Sequence, residues 1–310
     1  MNPNDQANQL RRLVQDVSRL AAARPVRPWL LLLVGGKGGV GTTTLAVNLA
    51  VALAQRGKRT VLADADPHGG NVALACGLAE RHNLADVIAG RRKLIEVLQP
   101  GPGGIQVAAG AWGLDFQAEG ASVHGYAWID QLPQLGPQAD VVLIDGGNAV
   151  SQTVDRLQQV ADLALVVTTP ETATIVNAYA RIKVLAKGNP RLPLQCWVNH
   201  CADAKTARQV LDRILQASIR FLSLRPQLAG HLPFDAALRG GLTAQSPLVL
   251  AQPRSPVARQ IQRLAEELTT TFVDHRPSLL IQTTLAGTEP AVSQPKQPCA
   301  ISGEIGEPGA

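Results

Sequence analysis

The chain has 310 residues, 45% of them apolar, 17% charged and 3% aromatic, with 29 Lys and Arg against 24 Asp and Glu for a net charge of +5. That length accommodates one α/β domain of about 250 residues plus tails, with a core of mainly Leu, Val, Ile and Ala. Charge this mild, without a long Lys/Arg block, argues for neither nucleic acid nor an acidic membrane; no apolar run nears the roughly 20 residues of a membrane span, and the polar start Met1–Gln6 has no apolar signal region, so a cytoplasmic chain with free thiols at Cys76, Cys196, Cys201 and Cys299 is expected.

Residues 1–28 form an amino-terminal extension. Leu10, Leu13, Val14, Val17 and Leu20 recur at helical spacing, with Arg11, Arg12, Asp16 and Arg19 between them. Asn4 or Asp5 caps this helix, and Pro25 and Pro28 end it. The run Trp29–Val34 reads as a buried strand, Gly35–Thr44 as a glycine-rich turn and Leu45–Ala54 as a helix. Strand, glycine turn and helix in that order build a phosphate cradle, because small residues let backbone N–H groups converge on an anion at a helix N-terminus. The spacing of a P-loop is met at Gly36, Gly41 and Thr43, but Thr42 stands where the phosphate lysine belongs. The loop's lysine is instead Lys37, between Gly36 and Gly38, too confined a place for a merely solvated side chain. Gly36, Gly38, Gly39, Val40, Gly41, Thr42, Thr43 and Thr44 are the candidate nucleotide contacts.

Gly57 stops the helix, and Thr60–Asp64 is the second strand. Asp64 and Asp66 follow at its carboxyl end, where open α/β sheets bind ligands; Asn71 comes five residues later, and His68 reads as a solvated loop residue. Residues 72–99 read as short helices, Ile105–Ala108 as a strand, and 110–137 as loop with one short helix. The apolar strand ending at Asp145 has the Walker B form, so Asp145 is expected to hold Mg²⁺ through water, with Gly146 and Gly147 offering amides to the γ-phosphate. A strand over 163–171, a helix from Thr172 to Lys187, a strand Leu194–Val198 and a closing helix Val257–Phe272 follow. Cys196, His200 and Cys201 invite a metal reading, but no second ligand pair follows, and they are read as core. Residues 275–310, with five prolines and no periodicity, read as disordered. Alternating strands and helices predict a doubly wound, mostly parallel α/β sheet, with a leader 1–28, a domain 29–273 and a tail 274–310.

The glycine loop with its lysine moved forward, together with Asp64-Ala65-Asp66, resembles the deviant Walker motif of the MinD/ParA P-loop ATPases. Three further stretches are similar to the flagellar FlhG (FleN/YlxH) subgroup. They are Asp5-Gln6-Ala7-Asn8-Gln9-Leu10-Arg11, the segment Asn83–Ile105, and Val166–Glu171 with Ala178–Leu185. The resemblance implies an ATP-dependent switch whose subunits pair face to face, Lys37 of each stabilising the phosphates held by the other. It further implies Asp66 as the residue that orients water, Asn71 as a nucleotide or water contact, and Thr43 with Asp145 on Mg²⁺. Asn199 would read adenine, with Pro233 and Asp235 in the loop that closes over the base. Asp5, Gln6, Ala7, Leu10 and Arg11 would bind and stimulate an FlhF-type GTPase of the signal-recognition-particle class. Flagellar basal-body proteins are further expected partners, and any place at the membrane or cell pole would come through partners.

Thr42, and Gly146 and Asn148 where the subgroup has Asp-Thr-Gly-Ala-Gly, depart from this pattern. Losing a cation beside the phosphates makes a non-hydrolysing scaffold that presents the leader helix the main rival. A ParA-like DNA partition ATPase is a further alternative, disfavoured by the mild charge and the leader motif, with no specific nucleic acid expected. An iron–sulphur carrier would need a paired-cysteine signature, which is missing. After Phe272 only Arg276 and Lys296 are strong cations, so a basic amphipathic membrane helix is not expected there.

Overall fold

The computed structural model describes residues 27–67, 71–79, 81–110, 125–148, 151–235 and 246–274. The leader expectation through residue 26, His68, and the tail from 275 lie outside the described residues. Eight strands are β1 (Trp29–Gly35), β2 (Thr60–Asp64), β3 (Leu98–Pro100), β4 (Gln106–Ala108), β5 (Val141–Asp145), β6 (Leu163–Thr168), β7 (Leu194–Val198) and β8 (Gln227–His231). They form one sheet in the order β3-β4-β2-β5-β1-β6-β7-β8, parallel throughout except for the antiparallel edge pair β3 and β4.

The central strands are buried along their length, save half-buried Trp29 at the start of β1, as continuous apolar runs in a parallel sheet require. Side chains alternate between two cores. Leu30, Leu32 and Val34 of β1 face one, and Leu31 and Leu33 face the other. The first is closed by α3 (Leu84–Ile88), α4 (Ala127–Gln131), α5 (Gln152–Val160), α6 (Thr172–Gly188) and α7 (Ala204–Leu222). The second is closed by α1 (Thr42–Gln55), α2 (Asn71–Ala75), α8 (Leu248–Ala251) and α9 (Pro256–Asp274). α1 is buried on nearly all sides. Its Asn48 bonds the Thr44 carbonyl at 2.9 Å and accepts from the Val249 amide at 3.1 Å, locking α8 onto it.

The expected strands and helices between residues 29 and 198 are present to within a few residues. α5, α7, β8, α8 and β3 are not foreseen from the sequence. α7 starts where the Asp203 side chain accepts from the Thr206 amide at 2.7 Å, and its apolar stripe includes Ala207, Val210, Leu211 and Ile214. β8 is a half-buried edge strand, irregular opposite Trp197, where Gly230 leaves space for the indole ring.

Two guanidinium forks tie the amino ends of the strands. Arg27 grips both oxygens of Asp162, which also accepts from the Leu30 amide at 2.8 Å; Arg59 grips Asp140, with Nη2 to Oδ1 at 2.6 Å. Among the described residues no helix is long and apolar enough to cross a membrane.

Candidate functional site

β1 ends at Gly35, and the chain turns through Gly36–Gly41 into α1. Close contact dictates the glycines. A Cβ on Gly35 would lie 2.6 Å from Thr42 Oγ1, and one on Gly36 would lie 2.7 Å from the Ala178 backbone nitrogen in α6. Gly41, the N-cap of α1, has φ 88°, and a Cβ there would stand 2.7 Å from Asn199 Nδ2. The loop is thus wedged between α6 and the end of β7. Asn199 secures it by donating from Nδ2 to the Val40 carbonyl at 2.7 Å while accepting at Oδ1 from Trp197 Nε1 at 2.7 Å.

No side chain caps α1, and its first turn carries no acidic residue. The turn opens on a cleft of about 330 Å³. Unsatisfied first-turn amides and the positive end of a 14-residue helix favour an anion there. Lys37, Gly39, Val40, Gly41, Thr42, Thr43 and Thr44 line the cleft on the loop side. Asp66 and Asn71 come from the end of β2 and the start of α2, and Asn199, Pro233 and Asp235 from the opposite wall. Gly36 and Gly38 shape the loop without lining the cleft, and Asp145 lies behind it, 0% exposed. Thr42 is buried, its hydroxyl close under Gly35. Among the described residues, Lys37 is the one Lys or Arg in the lining, and it is exposed.

Leu74, Asn148, His200 and Phe234 also line the cleft, although the sequence marks none of them as a nucleotide contact, His200 being read there as core and Asn148 only as a departure from the subgroup pattern. Exposed Phe234 meets the His200 ring edge-on, with centroids 5.4 Å apart. His200 has φ 53°, a left-handed conformation uncommon outside glycine. For His200 and Phe234 the available signal was adjacency: each follows a residue already picked out, Asn199 or Pro233.

Three carboxylates converge beneath the loop. Asp64 organises the turn after β2, Oδ1 accepting from the Asp66 amide at 3.2 Å and Oδ2 from the Val72 amide at 3.3 Å. Burial, then the Asp145 charge, pushes Asp64 up to about 7. Burial also raises Asp145, to about 6; the Thr43 hydroxyl and the Gly147 amide pull the other way, and Asp66 pushes it up. Asp145 Oδ1 accepts from the Gly147 amide at 3.1 Å, whereas Oδ2 has no hydrogen-bond partner.

Gly146 corrects one expectation. Its amide donates to the Leu33 carbonyl at 2.8 Å, and a Cβ would sit 3.0 Å from Val34 Cγ1, so it is a packing residue and not a phosphate donor.

This arrangement of loop, helix start and paired strand-end carboxylates can be set beside known proteins. The family model for the CobQ/CobB/MinD/ParA nucleotide binding domain matches residues 31–285. The chain belongs to this family. Its similarity to flagellar regulators within the MinD/ParA group is direct. The antiactivator FleN of Pseudomonas aeruginosa is 30% identical over 252 residues, spanning 81% of this chain and 89% of that protein. The flagellum site-determining protein YlxH of Helicobacter pylori is 25% identical over 239 residues, spanning 76% and 80%. In fold, the chain is similar to the septum site-determining protein MinD complexed with Mg-ADP from Pyrococcus horikoshii, with a TM-score of 0.65 at 24% identity over 79% of this chain and 97% of that one. The MinD/ParA P-loop fold expected from the glycine loop is therefore the fold found. Among the described residues the loop side of the cleft thus carries a single, exposed lysine, Lys37, beside the buried Thr42.

Proposed function

We propose that this chain is an ATP-dependent, dimerising switch of the flagellar-regulator kind. ATP with Mg²⁺ occupies the cleft, and the state of the dimer is passed to an FlhF-type GTPase through the leader motif Asp5–Arg11. One observation carries the reading. Asp145 is wholly buried at the carboxyl end of β5, directly beneath the loop, and its Oδ2 has no partner. A buried carboxylate left short of partners is costly unless a cation offsets it. Thr43 faces the same carboxylate from the start of α1. The residues therefore fit a divalent cation, which Thr43 and Asp145 would hold. When bound, it would neutralise charge on the phosphate oxygens.

In this reading the amides of the loop and of the first turn of α1 hold the phosphates. Lys37, exposed at the rim, is free to reach a second subunit's phosphates. Asp66 and Asn71 stand where an attacking water would be oriented, and Asn199, Pro233 and Asp235 frame the base. The MinD of P. horikoshii, solved with Mg-ADP, supports the choice of ligand. The FleN and YlxH relatives support the flagellar role. Titration calorimetry with ATP and Mg²⁺, followed by mass measurement of the complex, tests binding and pairing together. Saturable binding with doubling of the mass is expected; no heat and no change in mass would overturn the switch.

Thr42 favours a second reading, a nucleotide-binding scaffold that does not turn ATP over. Steady-state hydrolysis compared with a Lys37→Ala variant separates the two. A rate no higher than that variant's leaves the scaffold.

A further inference from the structure

Arg181, on α6, is a charged residue only 4% exposed. Guanidinium groups are seldom buried unless paired, and they stay protonated. Among the described residues this one makes a single hydrogen bond, from Nη2 to the Asn148 carbonyl at 2.6 Å, while Nη1 has no partner. The field of Asp155 reaches it, yet the two form no ion pair among the described residues. Its position gives the charge a direction. Asn148 lines the cleft beside the loop, and its side-chain amide lies 3.5 Å from where a Gly38 Cβ would stand. About one turn earlier on α6, the backbone at Asn177 and Ala178 is the surface on which Gly36 packs. A fixed, incompletely compensated positive charge thus stands one residue behind the phosphate end of the cleft, in a chain whose loop has threonine where a lysine would lie.

We propose that Arg181 supplies, through and from behind Asn148, the fixed positive potential that Thr42 does not supply, so that affinity for a nucleoside polyphosphate rests on it. The inference rests on the nucleotide-site reading above. Arg181 is a positioning residue. It holds the Asn148 carbonyl and biases the cleft electrostatically without lining it. A polyphosphate in the cleft offsets the buried charge, and the charge favours the polyphosphate.

The test is calorimetric titration of the full chain with ATP and MgCl₂. The proteins compared are wild type, Arg181→Gln, Arg181→Lys and the double variant Thr42→Lys/Arg181→Gln, with apo melting recorded for each. Glutamine keeps a donor for the Asn148 carbonyl but removes the charge. Arg181→Gln is expected to bind ATP roughly tenfold more weakly, the scale of one charge-assisted contact. Arg181→Lys recovers most of the loss, and so does the double variant, which returns a cation to the loop. Adenosine, having no phosphate, binds wild type and Arg181→Gln alike. Wild-type affinity in Arg181→Gln overturns the proposal. So does a loss that Arg181→Lys does not recover, or one that falls equally on adenosine, since a purely structural arginine would lower apo melting in both variants and weaken adenosine and ATP alike. If Arg181→Gln does not fold, Arg181→Met, which keeps the packed stem, takes its place in the same comparisons. A wild-type chain that binds no ATP overturns the nucleotide reading itself, a result distinct from the other two.

Discussion

The side-chain amide of Asn199 donates to the Val40 carbonyl at 2.7 Å while its oxygen accepts from the Trp197 indole, also at 2.7 Å. One buried residue therefore holds the glycine loop against the carboxyl end of β7 before any ligand arrives. Each polar atom of the amide retains capacity for one more bond, which is what a purine edge would use.

Replacing Asn199 by alanine strands the Trp197 N–H and the Val40 carbonyl in the interior. Each buried group left unsatisfied costs about 1–3 kcal/mol. Asn199→Ala is expected to lower the apo protein's urea midpoint as well as its ATP affinity. Weaker ATP binding with an unchanged midpoint would show that the contact with the loop carries no stability.

Gly41 and Gly39 both have positive φ, 88° and 80°, but only Gly41 has a neighbour in the way. Gly39→Ala meets only backbone strain, on the order of 1 kcal/mol. Gly41→Ala adds a collision with Asn199 Nδ2, and it should destabilise by roughly 1–3 kcal/mol and abolish ATP binding. Chemical denaturation of the pair checks the ranking. Equal losses would mean that Asn199 yields without cost.

Asp145 is raised from 3.8 to about 6 by burial, with Asp66 adding to the rise. The folded state keeps this proton where the unfolded chain has released it. The penalty is absent below the unfolded value, grows as pH climbs and is complete above about 6; Asp64, raised to about 7, behaves alike. The ligand-free protein should therefore lose stability between about pH 4 and 7 on account of these groups. Asp145→Asn should match wild type at about pH 4 and exceed it by roughly 1–3 kcal/mol at pH 8, while losing the stabilisation that Mg²⁺ with ATP confers. Thermal scans at the two pH values, with and without MgATP, decide it. Coincident apo curves at pH 8 would contradict the assignment.

Thr42→Lys restores the missing cation to the loop. ATP affinity is expected to rise roughly tenfold. Because the Thr42 hydroxyl lies close under Gly35, the lysine must leave that space and extend into the cleft. Calorimetry reads the affinity, and a value at or below wild type would show that the loop cannot place the longer side chain.

Deleting residues 1–26 should leave ATP binding intact and remove any stimulation of an FlhF-type GTPase. Partner turnover with the full and shortened chains measures this, and equal stimulation would detach the leader from that role.

Much of the fold was legible because β1, β5 and β6 are buried on both faces and so appear as unbroken apolar runs ending in glycine, aspartate or threonine. β8 lacked that signal. Gln227-Leu228-Ala229-Gly230-His231 is a half-buried edge whose irregularity is set by the Trp197 ring, a tertiary fact. β3 is three residues long and ends in proline. In the site, glycine spacing located the loop, and strand-end carboxylates located Asp66 and Asp145. His200, Phe234 and Asn148 depend on which loops meet at the cleft, which no local pattern encodes. Arg181 was hidden for a related reason. In a helix with lysines at 183 and 187, an arginine looks solvated, and only the packing of α6 beside the Walker B turn makes it internal.

The Arg27–Asp162 fork lies at the amino ends of β1 and β6, while the cleft opens at their carboxyl ends. Seven residues of β1, about 23 Å of extended chain, separate the two. The point at which the described chain begins is thus clamped on the side of the sheet remote from the cleft. Any disturbance of that clamp would have to cross the sheet to be felt at the cleft.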